Sequence, residues 1–203
     1  MTAPTAERAG TRAAEQVIAL VGSAGGLHGF RRVLEELPGD LAAAVVVVMH
    51  LQAAHPSMLA TILARSSRLP VKQAEGDDTL ESGHVYVAPP GAHLLVRADG
   101  SLQLDTTPPV HFLRPSADVL LASLASAYAA DCMAIVFSGT GTDGAAGAVA
   151  LKASGGIVLA QDENSSDYFG MPSAAIASGA VDRVLALDQI AGAVVGFVRP
   201  CLS

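Results

Sequence analysis

Apolar positions along the chain fall into short unbroken runs separated by longer stretches with helical spacing. Val17-Ile18-Ala19-Leu20-Val21, Ala43 to Met49, Met133 to Phe137 and Ile157 to Ala160 carry almost no polar residue. Runs of this length read as strands buried on both faces, which is the condition of a parallel strand covered by helices. The intervening stretches predict helices from the Gly25-Gly26 pair to about Leu37, from Ser57 to Arg65, from Pro115 to about Ala129, from Gly144 to Ala153 and from Pro172 to Ser178, with a last helix after a short strand at Val181–Leu187. Pro38-Gly39 stops the first of them.

The middle of the chain changes rhythm. Val71 to Glu75, Gly83 to Ala88, Leu94 to Arg97 and Leu102 to Leu104 are short strand-like segments, and Asp99-Gly100 is a hairpin signal between the last two. The pattern predicts an α/β fold: a doubly wound, mostly parallel sheet with a short antiparallel hairpin excursion at about residues 83–105. No internal repeat or low-complexity linker is present. The expected organisation is one domain over residues 15–203, preceded by a flexible tail at 1–14 (MTAPTAERAGTRAA).

Composition narrows the function classes. The chain has 203 residues, 51% apolar and 15% charged, which excludes disorder and predicts a large core. Twelve Lys plus Arg stand against 19 Asp plus Glu, giving a net charge of −7 with no basic block, so no nucleic-acid partner is expected. Trp is absent and aromatics are 4%, which leaves Ala, Val and Leu to fill the core. The longest apolar run, Leu41 to Met49, cannot span a bilayer as a helix, and the first is shorter than the apolar part of a signal peptide. A soluble, cytoplasmic protein without membrane insertion is expected. Cys132 and Cys201 have no framework or metal spacing, and Cys132 reads as a small core residue. The histidines form no compact ligand pattern, so neither a metal nor a cofactor is expected.

Three polar residues stand just past the C-terminal ends of three predicted strands: Ser23, His50 and Asp143. In a parallel sheet those ends share the edge at which open α/β sheets bind ligands. A serine hydroxyl is a poor nucleophile until a base takes its proton, and an acid fixes the tautomer of that base, so the three together suggest a hydrolytic triad. Each has a plainer reading. Ser23 can be the N-cap of the first helix, His50 a hydrogen-bonded structural residue, and Asp143 the cap of the helix that starts at Gly144. His111-Phe112-Leu113-Arg114-Pro115-Ser116 reads equally well as a substrate-facing loop and as a structural turn.

A competing motif lies nearby. Gly139-x-Gly141-x-x-Gly144 follows a strand and precedes a helix, and Asp162 stands eighteen residues further on, as in a dinucleotide fingerprint. Against that reading, Asp143 brings a carboxylate to the place of the pyrophosphate, and the motif does not open the first βαβ unit.

Six ordered blocks then carry a resemblance: Val21-Gly22-Ser23-Ala24-Gly25-Gly26, Val48-Met49-His50, Gly83 to Pro90, Arg114-Pro115-Ser116-x-Asp118, Ser138 to Gly147, and Phe169-Gly170-Met171-Pro172. Over about residues 16–198 the sequence resembles the catalytic domain of the chemotaxis receptor protein-glutamate methylesterases, the CheB type. The resemblance implies a serine hydrolase of signal transduction that removes methyl esters from receptor glutamates with release of methanol, and that deamidates receptor glutamines by the same chemistry. It implies Ser23 as nucleophile, His50 as general base and acid, Asp143 as orienting carboxylate, and an oxyanion hole from the backbone N–H groups of Ala24 and Thr140. The implied substrate is the methylated cytoplasmic helices of chemoreceptors, and a separate receiver or methyltransferase protein is a further implied partner.

The sequence departs from the family pattern at Val21, where Gly is usual, at Ala24, where Thr is common, and at Thr140, where Met is common. It also departs before Ala14, where fourteen residues are too few for the receiver domain that members usually carry. A domain that is active without phosphorylation is therefore expected. Four readings stay open: the receptor methylesterase, a related esterase acting on another carboxyl ester or amide, a dinucleotide-binding protein using Gly139–Gly144, and a non-catalytic receptor-binding module if Val21 spoils the serine turn.

Overall fold

The computed structural model describes residues 13–50 and 57–198. Most of the predicted tail, His55-Pro56 just before the second predicted helix, and Cys201 lie outside the described residues. Within them the chain is already packed at Ala14, which is buried and donates its N–H to the Leu80 carbonyl at 2.7 Å.

The first half runs β1 (Val17–Gly22), α1 (Gly26–Glu36), β2 (Ala44–Met49), α2 (Leu59–Ala64), β3 (Val71–Gln73) and β4 (Val85–Val87). An antiparallel pair follows, β5 (His93–Val96) and β6 (Leu102–Asp105). The second half runs α3 (Ala117–Ala127), β7 (Cys132–Val136), α4 (Ala145–Ala153), β8 (Ile157–Gln161), α5 (Gly170–Ala177), β9 (Arg183–Leu185) and α6 (Leu187–Phe197). Seven strands form one sheet in the order β3-β4-β2-β1-β7-β8-β9, with parallel pairing throughout. The doubly wound parallel sheet is as the apolar runs predict. The excursion is shorter than residues 83–105: Val85-Tyr86-Val87 is buried along its whole length and pairs with both β2 and β3, so only β5 and β6 leave the sheet.

Alternate residues of the central strands feed two cores. Ile18 and Leu20 of β1, with Val45 and Val47 of β2, pack under Phe30, Val33 and Leu34 of α1 and Ile190 and Val194 of α6. Val17, Ala19 and Val21, with Val46 and Val48, pack under Leu120, Leu121 and Leu124 of α3, Ala148 and Leu151 of α4, and Leu94 and Leu102 of the excursion. Residues without long side chains let α3 and α4 come close. A Cβ on Gly147 would stand 2.7 Å from Leu121 Cβ and 3.0 Å from Asp118 Cα. Cys132 is fully buried in this second core, as its apolar neighbourhood predicts, and burial pushes its thiol far above the ordinary value.

The first core has an aromatic centre. Phe30 of α1 meets Phe137, which follows β7, edge to face with ring centroids 5.2 Å apart and planes at 84°. Both side chains are fully buried. Truncation leaves a cavity beneath the helix that begins just after Ser23. Phe30→Ala is expected to cost about 3–5 kcal/mol of unfolding free energy, measured by urea denaturation.

Candidate active site

From β1 the chain moves outward to β2 and β4, then returns across the sheet to β7 on the other side of β1. The strand order reverses at β1 and β7, and the C-terminal ends of the strands there border the crevice in which such sheets hold ligands. Gly22 pairs with Met49 and Val21 with Val136. Ser23 and His50 are therefore the next residues along two hydrogen-bonded strands, and Asp143 lies in the loop after the third. The three strand-end residues come to one edge.

The turn at Ser23 is fixed by the backbone. The Ser23 N–H donates to Ser138 O at 3.0 Å, Gly26 N–H donates to Ser23 O at 2.9 Å, and Gly25 between them is left-handed at φ 78°. Gly25 is the helix N-cap, and no side chain caps α1. The capping role open to Ser23 from sequence is therefore not taken, and its half-buried hydroxyl makes no hydrogen bond among the described residues. Val21 does not disturb this turn. It is still in β1, fully buried between Val48 and Val136, with its side chain in the core under α3 and α4.

His50 Nε2 lies 2.7 Å from Asp143 Oδ2. Asp143 also accepts from Ser116 Oγ at 2.7 Å, from the Ala117 N–H at 2.6 Å and from the Asp118 N–H at 3.1 Å. Burial would raise the pKa of this carboxyl, but the hydrogen bonds from His50, Ser116, Ala117 and Asp118 prevail and hold it below the usual value. An ionised carboxylate only accepts, so Nε2 carries a proton, and in the neutral ring Nδ1 then keeps the lone pair. No hydrogen bond joins Ser23 Oγ to the ring among the described residues. Such contacts are commonly loose in the free state and tighten in the substrate complex.

Asp143 caps a different helix from the one expected. It stands before α4 but receives the first N–H groups of α3. Asp118, in the first turn of α3, does the converse: its Oδ1 accepts from the Gly144 N–H at 2.9 Å and the Gly147 N–H at 2.8 Å. The two helices cap one another. Burial and the nearby Asp143 charge raise the Asp118 pKa. The arrangement also removes the structural basis of the dinucleotide reading, because a carboxylate already occupies the α4 N–H groups that a pyrophosphate would need.

On the other flank, Ser138 Oγ donates to Ala24 O at 2.8 Å and accepts the Tyr168 N–H at 3.0 Å. Gln161 Oε1 accepts the Ser138 N–H at 3.0 Å. Met171 N–H donates to Gly139 O at 2.8 Å. A Cβ on Gly139 would fall 3.0 Å from Ser23 Cβ and 2.3 Å from Met171 Sδ, so only glycine lets this loop approach the serine. The N–H groups of Ala24 and Thr140, the next residues on either side, make no protein hydrogen bond among the described residues. Of the other described histidines, His28 is exposed on α1, His84 bonds Ser82 O, and buried His93 accepts the Ser116 N–H at 3.3 Å. No group of three His, Cys, Asp or Glu side chains suited to a metal occurs among the described residues, and none of their helices is long and apolar enough to cross a membrane.

Sequence reasoning about the triad missed four supports: Ser116, Asp118, Ser138 and Gln161. Ser116-Ala117-Asp118 before an apolar helical run is a helix-start signal, which points to capping but not to the partner.

Comparison with known proteins gives the family and the fold. The family model described as CheB methylesterase matches residues 18–194. The chain is 42% identical over 185 residues to a protein-glutamate methylesterase/protein-glutamine glutaminase 2 of Anaeromyxobacter dehalogenans, covering 91% of this chain and 54% of that protein. It is 37% identical to the protein-glutamate methylesterase FrzG of Myxococcus xanthus, over 91% of this chain and 55% of that one. The chain thus spans about half the length of the curated relatives it matches. The crystal structure of the Thermotoga maritima CheB methylesterase catalytic domain superposes with a TM-score of 0.87 at 32% identity, covering 90% of this chain and 98% of that one.

The two carboxyls give opposite pH dependences. The depressed Asp143 pKa contributes stability that is complete above the unfolded value of about 3.9 and is lost as pH falls through the lower folded value. The raised Asp118 pKa contributes stability that is present below the unfolded value and is lost as pH rises through the folded one. Asp118→Asn keeps Oδ1 for both glycine N–H groups and is expected to stay within about 1 kcal/mol of the parent at neutral pH, whereas Asp118→Ala loses about 1–3 kcal/mol. The Asn variant also lacks the gain that protonating Asp118 brings as pH falls from its raised folded value towards about 3.9, so the parent's melting temperature should rise relative to the variant's between neutral pH and about pH 4, as read by thermal unfolding across a pH series.

Proposed function

The chain belongs to the CheB methylesterase family, and we propose that it is a serine hydrolase that removes methyl esters from glutamate side chains on the cytoplasmic helices of chemoreceptors, which sets the reaction in the cytoplasm. Ser23 is the nucleophile, His50 the base and acid, and Asp143 the orienting carboxylate. The observation that carries this reading is the His50 Nε2–Asp143 Oδ2 contact of 2.7 Å at the strand end beside Ser23, whose hydroxyl has no structural task.

His50 Nδ1 takes the Ser23 proton as Oγ attacks the ester carbonyl. The oxyanion that forms meets the N–H groups of Ala24 and Thr140 and the N-terminal end of α1. Collapse of the tetrahedral adduct breaks the bond to the methoxy group, which takes the proton from His50 and leaves as methanol. Water then attacks the Ser23 ester by the same proton transfers in reverse and frees the glutamate. An amide follows the same course with ammonia leaving, so deamidation of receptor glutamines belongs to the same site. Asp143 stabilises the imidazolium in both halves without taking its proton.

Because Ala24 and Thr140 act through their backbone, their departure from the common Thr and Met leaves the oxyanion donors in place. Ser23→Ala, His50→Ala and Asp143→Ala are each expected to lower methanol release from methylated receptor membranes on the order of 10³-fold or more, in proteins whose far-ultraviolet circular dichroism matches the parent.

A further inference from the structure

Between the antiparallel excursion and α3 the chain forms a braced arm that the catalytic reading leaves without a task. Val110 and Leu113 exchange both backbone hydrogen bonds, at 3.1 and 2.8 Å, around a two-residue turn. Its central residues are His111 at φ 48° and Phe112 at φ 66°. A turn with two positive φ angles favours Asn and Gly, and bulky side chains there store strain. Phe112 is also 99% exposed. A fully solvated aromatic on a strained turn has no structural benefit to offset its cost.

The base of the arm is rigid. Arg114 Nη1 donates to Thr106 O at 2.8 Å and Thr107 O at 2.9 Å. Buried His93 bonds both of its ends, Pro108 O through Nε2 at 3.4 Å and the Ser116 N–H through Nδ1 at 3.3 Å. Ser116 in turn donates to Asp143. Phe112 stands four residues before Ser116, so its Cα is within about 14 Å of a residue that touches the catalytic acid. That reach compares with the ~10–12 Å diameter of an α-helix.

We propose that Phe112 is the docking residue for the polypeptide that carries the ester, an amphipathic receptor helix lying across the catalytic edge with an apolar side chain about two turns from the modified glutamate. This rests on the methylesterase reading and adds a specificity determinant to it. An ester reaching Ser23 on a helix must bring the flanking turns over this edge, where a rigid aromatic fixes position at little entropic cost. The strain is retained because it turns the ring outward.

Steady-state methanol release from methylated receptor membranes, paired with hydrolysis of N-acetylglutamate γ-methyl ester, tests the assignment on the purified full chain. Phe112→Ser is expected to lower kcat/KM on the receptor on the order of tenfold, through KM, while turnover of the small ester follows the wild type. Phe112→Leu should recover most of the receptor activity. Phe112→Gly should melt at a higher temperature than the parent and still lose receptor capture, which separates strain from docking. Equal losses on both substrates, or none on the receptor, would overturn the proposal. A loss seen only in the response to an added receiver domain would overturn it too, in favour of a regulatory contact. Wild-type protein that cleaves the small ester but releases no methanol from receptors would instead overturn the methylesterase reading itself.

Discussion

A carboxylate taken out of water needs donors in place of its hydration shell, and Asp143 finds four: a histidine, a serine hydroxyl and two backbone N–H groups. They come from the end of β2 and the start of α3, while the acid itself follows β7. One buried charge thus ties together elements that approach β1 from both sides. It sets the ring of His50 and its tautomer, and with Asp118 it fixes the start of α3 against the start of α4. If the carboxylate were removed, its donors would be left unpaired in a largely buried site, which costs more than the bonds contribute when made.

This cluster needs backbones that come unusually close. Asp118 reaches the Gly147 N–H because nothing projects from Gly147 towards Leu121, and the Gly139 loop reaches Ser23 because nothing projects from Gly139 towards Met171. The absence of Trp and the heavy use of Ala, Val and Gly are the compositional side of the same constraint. The α1 and α6 side of the sheet, where Phe30 and Phe137 sit, carries the bulk. The α3 and α4 side gives up volume for proximity.

What could be read from the sequence follows the same division. Uninterrupted apolar runs gave the parallel strands, and residues just past their ends gave Ser23, His50 and Asp143 as neighbours, because parallel strands put all such ends on one edge. The family resemblance gave those residues roles and gave Ala24 and Thr140 theirs. Contacts between chain segments far apart in sequence were not legible. Ser138 clasping Ala24, Asp118 capping α4 and His93 closing the arm have no local pattern, since each pairs residues brought together only by the sheet order. A cap by Asp143 is open to the same limit: sequence proximity points to α4, and the fold gives α3. The excursion reads from sequence as beginning at residue 83 because the short run Val85-Tyr86-Val87 cannot declare from periodicity whether its partners are parallel.

The reversal of strand order at β1 and β7 explains why the supports of the acid lie where they do. After β4 the chain must cross back over the sheet to begin β7 on the far side of β1, and it does so through β5, β6, the braced arm and α3. That crossing brings Ser116, Ala117 and Asp118 to the edge that holds His50 and Asp143 as a consequence of connectivity. The N-terminal N–H groups of α3 arrive unsatisfied and the loop after β7 arrives with a carboxylate, so each meets the other's need. The chain order Ser23, His50, Asp143 of the proposed triad is then a natural product of this topology: the proposed nucleophile follows the central strand, the proposed base follows the neighbour reached first, and the proposed acid follows the neighbour reached last. The crossing segment holds the carboxylate of Asp143, and the same segment carries the exposed arm of His111 and Phe112.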